Sequence, residues 1–235
     1  MDDMKSNINF EKISSVLKEN LELVGSPIAV KIIVSPEQIP EGIPEIERKI
    51  RHCKMVSLAR NGQVFYATDA KHQCGGGAWA LGLREQSSVL KTGEQYYKLG
   101  KYESIYSCIR TMNTVANLPQ ETYATLYAPL EKAEFVPKVV LIFAKPKTML
   151  KLAQTILYRL GGRLYPQFSG IQSVCSDVIS YVLLTGKPNF SFGCDGSRKF
   201  AGILDEEMVA GIPIELIEEI AQNLTLVVNA EGSKN

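Results

Sequence analysis

The sequence predicts an α+β (mixed α/β) fold of two similar halves packed as one globular unit. Three observations lead there. Helix-like and strand-like segments alternate, each half contains one short β-branched run following a proline, and each half carries two cysteines set around a helix, a turn and a strand. At 235 residues, with 45% hydrophobic and 22% charged, the chain can bury a core that needs neither disulfide nor metal for stability.

Residues 10–23 place Phe10, Ile13, Val16, Leu17 and Leu21 at helical spacing, with Asn9 suited to cap the first turn. Residues 28–34, between Pro27 and Pro36, are rich in β-branched side chains and read as a buried strand. Residues 139–144, following Pro137, are the counterpart in the second half. A helix is expected over residues 148–160, stopped by Gly161-Gly162, and another over residues 213–223, with Pro213 in its first turn. Residues 1–90 thus form a first half and residues 136–235 a second. The tyrosine-rich stretch 91–135 reads as a helical connector.

Within the first half, Cys53 opens an apolar helical stretch, Gly62 stops it, a strand follows over residues 64–67, and Cys74 comes after that strand, beside glycines. In the second half Cys175, Gly186, a strand over residues 189–192 and Cys194 repeat the order. The parallel suggests an internal duplication. If the halves pack about a pseudo-twofold axis, Cys53, Cys74, Cys175 and Cys194 converge at the junction. Four thiolates there would suit zinc or an iron–sulfur cluster. Neither half has a Cys-x-x-Cys knuckle, so buried packing and reactive-thiol chemistry stay open beside the metal reading. His52 and His72 add nitrogen donors to the first half only. Cys108 has no counterpart and is expected in the core.

Gly75, Gly76 and Gly77 open a helical run and leave backbone N–H groups bare, as anion-binding helix starts do. The G-x-G-x-x-G and P-loop spacings are absent. Arg198 could clamp a carboxylate or phosphate. Asp205-Glu206-Glu207 reads as a helix N-terminus. The alternative to a metal-binding protein with a redox or cofactor-related role is therefore an anionic small-molecule binder, or a transferase-like enzyme, in which the cysteines only pack.

Composition narrows the class further. Twenty-six basic against twenty-five acidic residues give a net charge of +1, which disfavours nucleic acid. The opening MDDMKSNINFEKISS lacks a signal peptide's basic and apolar regions, and no apolar run is long enough to span a bilayer. The protein is expected in the cytoplasm, where five cysteines stay reduced. Homo-oligomerisation is left open.

At Pro27-Ile28-Ala29-Val30-Lys31, Cys53-Lys54-Met55, Cys74-Gly75-Gly76-Gly77-Ala78-Trp79-Ala80-Leu81-Gly82-Leu83 and Phe192-Gly193-Cys194-Asp195-Gly196-Ser197-Arg198, the chain resembles the prokaryotic family called domain of unknown function 169, common among methanogenic archaea and anaerobes. The likeness runs over nearly the whole chain. It implies no activity for particular residues, although an anaerobic setting would suit a cluster.

Overall fold

The computed structural model describes residues 8–232, with side chains followed as far as Val227. Residues 1–7, half of the opening stretch read above for targeting signals, lie outside the described residues.

One six-stranded antiparallel sheet organises the chain. Its strands are β1 (Ile28–Ile33), β2 (Phe65–Thr68), β3 (Ala124–Pro129), β4 (Val139–Ala144), β5 (Asn189–Ser191) and β6 (Met208–Pro213), arranged spatially as β2-β3-β1-β4-β6-β5. The four central strands have helices on both sides. Their side chains therefore read as continuous apolar runs rather than as an alternating pattern.

On one face pack α1 (Phe10–Asn20), α7 (Pro146–Leu157) and α10 (Ile214–Gly232). Leu17, Leu152, Ile217 and Leu224 meet Ala29, Val140, Ile142 and Ile212 of the sheet there. Asn9 caps α1 as expected, its side chain accepting a hydrogen bond from the Lys12 N–H.

The opposite face carries α2 (His52–Arg60), a π-helical segment at Ser173–Ser180, α8 (Tyr181–Thr185), α3 (Gly75–Ala80) and α9 (Asp195–Ala201). Met55, Val56, Leu81 and Val178 pack there against Val30, Tyr127, Leu141 and Val209. The π-helical segment comes very close to the sheet. A Cβ on Gly211 of β6 would lie 2.0 Å from the Val178 carbonyl oxygen, so only glycine fits.

The strand registers of the two halves match. Ile28, first in β1, faces Pro129, last in β3; Val139, first in β4, faces Pro213, last in β6. Phe65 opens β2 opposite Tyr127, and Asn189 opens β5 opposite Gly211, the fourth residue of the neighbouring strand in both cases. Beyond the strand ends, the Leu130 N–H donates to the Pro27 carbonyl and the Ile214 N–H to the Lys138 carbonyl.

Several expectations are corrected. The stretch 91–135 supplies α5 (Glu94–Lys98) and α6 (Ile105–Met112), after α4 (Ser88–Lys91), but it also contains β3, which sits between β1 and β2. β3 is buried along its whole length and contains two alanines, so neither alternation nor a β-branched run marks it. Pro213 ends β6 instead of starting a helix, and α10 begins at Ile214. Asp205-Glu206-Glu207 leads into β6 with no helix. Glu207 is there because its carboxylate receives the Arg60 guanidinium at 2.6 and 3.2 Å. Cys108 is fully buried, with Trp79, Tyr96 and Met112, as expected of a core residue.

Candidate functional site

Four separate elements bring the four cysteines of the two segments to one cavity. Cys53 lies in the first turn of α2, Cys74 caps α3, Cys175 lies in the π-helical segment and Cys194 caps α9. All four line a cavity of about 340 Å³ on the face that carries these helices. Cys74 and Cys194 have extended backbones, and each sulfur accepts an N–H from three residues on, Gly77 and Ser197 respectively, at 3.4 Å. In a π-helix the widened turn displaces side chains from α-helical positions, a distortion common at functional sites. Here it carries Cys175, whose thiol donates to the Gln172 carbonyl at 3.5 Å.

The thiols are close enough to influence each other's ionisation. Burial pushes Cys53 up, with Cys194 and Cys74 adding to the effect. Burial also pushes Cys175 well up, with further contributions from Cys53, Cys74 and Cys194. Cys194 behaves differently. Burial works to raise its pKa too, but hydrogen bonds from Ser173 and Ser197 outweigh it and hold the thiol below its ordinary range. All five cysteines are free thiols. Among the described residues, no group of three or more His, Cys, Asp and Glu side chains is arranged to hold a metal ion.

The family model for domain of unknown function 169, described as uncharacterised ArCR, matches residues 16–223. The chain belongs to this family. It is 41% identical over 197 residues to the uncharacterized protein MJ0308 of Methanocaldococcus jannaschii, an alignment covering 83% of this chain and 84% of that protein. No solved structure matches the chain.

In this family member the remaining candidate residues separate in space. Gly76 and Gly77 line the cavity with the thiols. Gly75 has open space around its Cα, and it is not among the lining residues. Arg198 points elsewhere: its guanidinium donates to the carbonyls of Phe192, Leu204 and Glu207 and ties the loop before β6 to the end of β5. Both histidines are fully buried, His52 at the start of α2 and His72 in the segment between β2 and α3, in a hydrogen-bonded row with Tyr127 and Thr125. The His52 Nδ1 meets the Tyr127 hydroxyl at 2.9 Å, Thr125 donates to that hydroxyl at 2.8 Å, and the His72 Nε2 meets Thr125 Oγ1 at 3.2 Å. Burial lowers His52 to about 4 and His72 to about 3, so both are neutral at physiological pH. Neither lines the cavity.

The structure adds to the site residues that the sequence reading did not place there. Arg51, Tyr96, Gln172, Lys199 and Phe200 all line the cavity. Arg51 and Lys199 adjoin elements already suspected and could have been found by extending them. Gln172 offered no signal: its left-handed backbone, φ 52°, is a rare conformation for a residue other than glycine. Among the described residues no helix is long and apolar enough to cross a membrane.

Proposed function

We propose that Cys53, Cys74, Cys175 and Cys194 hold an iron–sulfur cluster that serves a redox or cofactor-related reaction. The observation that carries this reading is the convergence of four thiols, from four elements far apart in sequence, on one cavity. Packing alone gives no reason for three of them to remain only partly buried beside open space. Burial and mutual repulsion keep protons on Cys53 and Cys175, and a cationic cluster core would remove that penalty.

Tetrahedral zinc with Zn–S bonds of ≈ 2.3 Å would gather its sulfurs to about 3.8 Å from one another, and among the described residues no group of three or more His, Cys, Asp and Glu side chains is placed to hold a metal ion. A four-iron cluster, in which each thiolate takes its own iron, would hold the sulfurs further apart than zinc does. The free thiols suit a reducing compartment such as the cytoplasm. Matched registers and matched capping cysteines also support an internal duplication, from which the insertion α4–α6 between β2 and β3 departs.

The test is protein produced and purified without oxygen. Iron and acid-labile sulfide in stoichiometric amounts, with a visible absorption that bleaches on reduction, are expected. Protein free of iron, sulfide and zinc, with all its thiols titrating freely, would overturn the reading.

A further inference from the structure

We infer that the cavity beside the thiols also seats a small anionic organic molecule, bearing a carboxylate or phosphate on an apolar body, with its charged end at Arg51 and Lys199 and a hydrogen-bond donor at Gln172. The inference deepens the function proposed above by naming a ligand for the same site, but its own support does not depend on metal.

The cavity mouth carries the first observation. Arg51 and Lys199 both lie on the ring of Phe200, at 4.2 and 5.6 Å from its centroid. Among the described residues neither forms an ion pair, whereas Lys101, on the same cavity, is paired with Asp195. Two uncompensated cations beside an aromatic ring, with Leu99 and Ile171 also lining the cavity, complement an anion attached to an apolar body.

The buried wall carries the second. Gln172 is 6% exposed and its Nε2 donates to the Tyr96 hydroxyl at 3.1 Å, but its Oε1 has no partner. A buried amide oxygen without a donor is a rare and costly arrangement. Gln172 lines the cavity, so a small turn of its amide would bring this oxygen to a ligand N–H or O–H. The Tyr96 hydroxyl, having accepted from Gln172, keeps its own proton to donate, so this wall presents an acceptor and a donor together. Gly76 leaves room for the pair, since a Cβ there would sit 3.0 Å from Gln172 Nε2.

Arg51 and Lys199 have one other use open to them, which is to offset the negative charge of a thiolate-bound cluster, and the experiment separates the two. Benzoate and phenyl phosphate, with benzamide as the neutral control, are titrated calorimetrically into the full chain in two forms: anaerobically purified with iron and sulfide quantified, and stripped of metal. At least one of the anions should bind at least tenfold more tightly than benzamide. R51L/K199L should weaken that binding tenfold or more while iron content stays unchanged, and the Gln172 side-chain amide resonance should shift on titration. R51Q and K199Q, tested singly, replace the double variant if it fails to fold.

Failure to bind either anion in both forms would overturn the inference. So would binding that R51L/K199L leaves unaltered, or loss of the cluster alone in that variant. Anion binding by protein that never holds iron would leave the inference standing and remove the cluster.

Discussion

Cys74 and Cys194 occupy the same structural position in two different helices: each is the N-cap, and each sulfur accepts the backbone N–H of the third residue beyond it. The role of a cap and the role of a metal ligand can therefore be separated by substitution. Serine is a favoured N-cap, so Cys74→Ser and Cys194→Ser should unfold in urea within about 0.5 kcal/mol of the metal-free parent, while alanine at either site should cost about 1 kcal/mol. If the cysteines bind a cluster, the serine variants keep their fold and lose iron and sulfide. Serine variants that retain the parent's full metal content would place the metal elsewhere.

Gly211 provides a test of the sheet's contact with the π-helical segment. A methyl group there would collide with the Val178 backbone, 2.0 Å from its oxygen, and backbone cannot move aside as a flexible side chain can. Gly211→Ala should destabilise by about 1–3 kcal/mol or more, the range for overpacking. Because Cys175 rides on the displaced segment, any iron and sulfide held by the thiols should fall with it. Gly186→Ala is the comparison. Its surroundings are open and only its left-handed backbone resists substitution, so a smaller loss of about 1 kcal/mol is expected, with the site intact.

Arg60 and Glu207 form a nearly buried pair that ties the end of α2 to the turn before β6, across the two halves. Their side chains are 12% and 5% exposed. Arg60 also donates to the Val24 carbonyl and lies over the Phe143 ring, and Glu207 accepts from the Leu204 N–H. Removing either partner leaves an uncompensated buried charge, so Arg60→Met and Glu207→Leu should each cost about 3–5 kcal/mol. The double variant should cost clearly less than the two combined. Additive losses in a double-mutant cycle would mean that the two charges are not coupled.

How far the sequence revealed this molecule depended on the kind of pattern each residue makes. β1 and β4 were legible because β-branched residues following prolines have few other uses, and α1 was legible from its cap and its helical spacing. β3 and β6 were not, although they complete the sheet. Alanine, glycine and proline in Ala124–Pro129 and Met208–Pro213 give weak strand propensity, and burial on both faces removes the alternation. The cysteines were legible because their order repeats. Arg198 looked like a ligand for its charge beside Cys194, but three carbonyl oxygens, known only once the chain is folded, take its donors. Gln172 and Tyr96 meet across 76 residues of sequence, and no local pattern marks such a pair.

Glu131 should set part of the acid limit of the fold. It accepts hydrogen bonds from Ser26, Ser14 and Lys18, which join α1 and the loop after it to the end of β3. Burial works to raise its pKa, but those bonds and its own backbone N–H outweigh that effect and hold the carboxyl at about 2, against an ordinary value of 4.5. A group with a depressed folded pKa contributes stability that is fully present above its unfolded value and is lost as pH falls through the folded one. The contribution should therefore be constant above about pH 5, decline between 4.5 and about 2, and vanish below. With the side chain 22% exposed, roughly 1–3 kcal/mol is expected at neutral pH. Glu131→Gln should lose that amount at pH 7 and converge with the parent near pH 2. Urea unfolding of both proteins across this range measures it, and parallel stability curves would show that the carboxylate's charge contributes nothing.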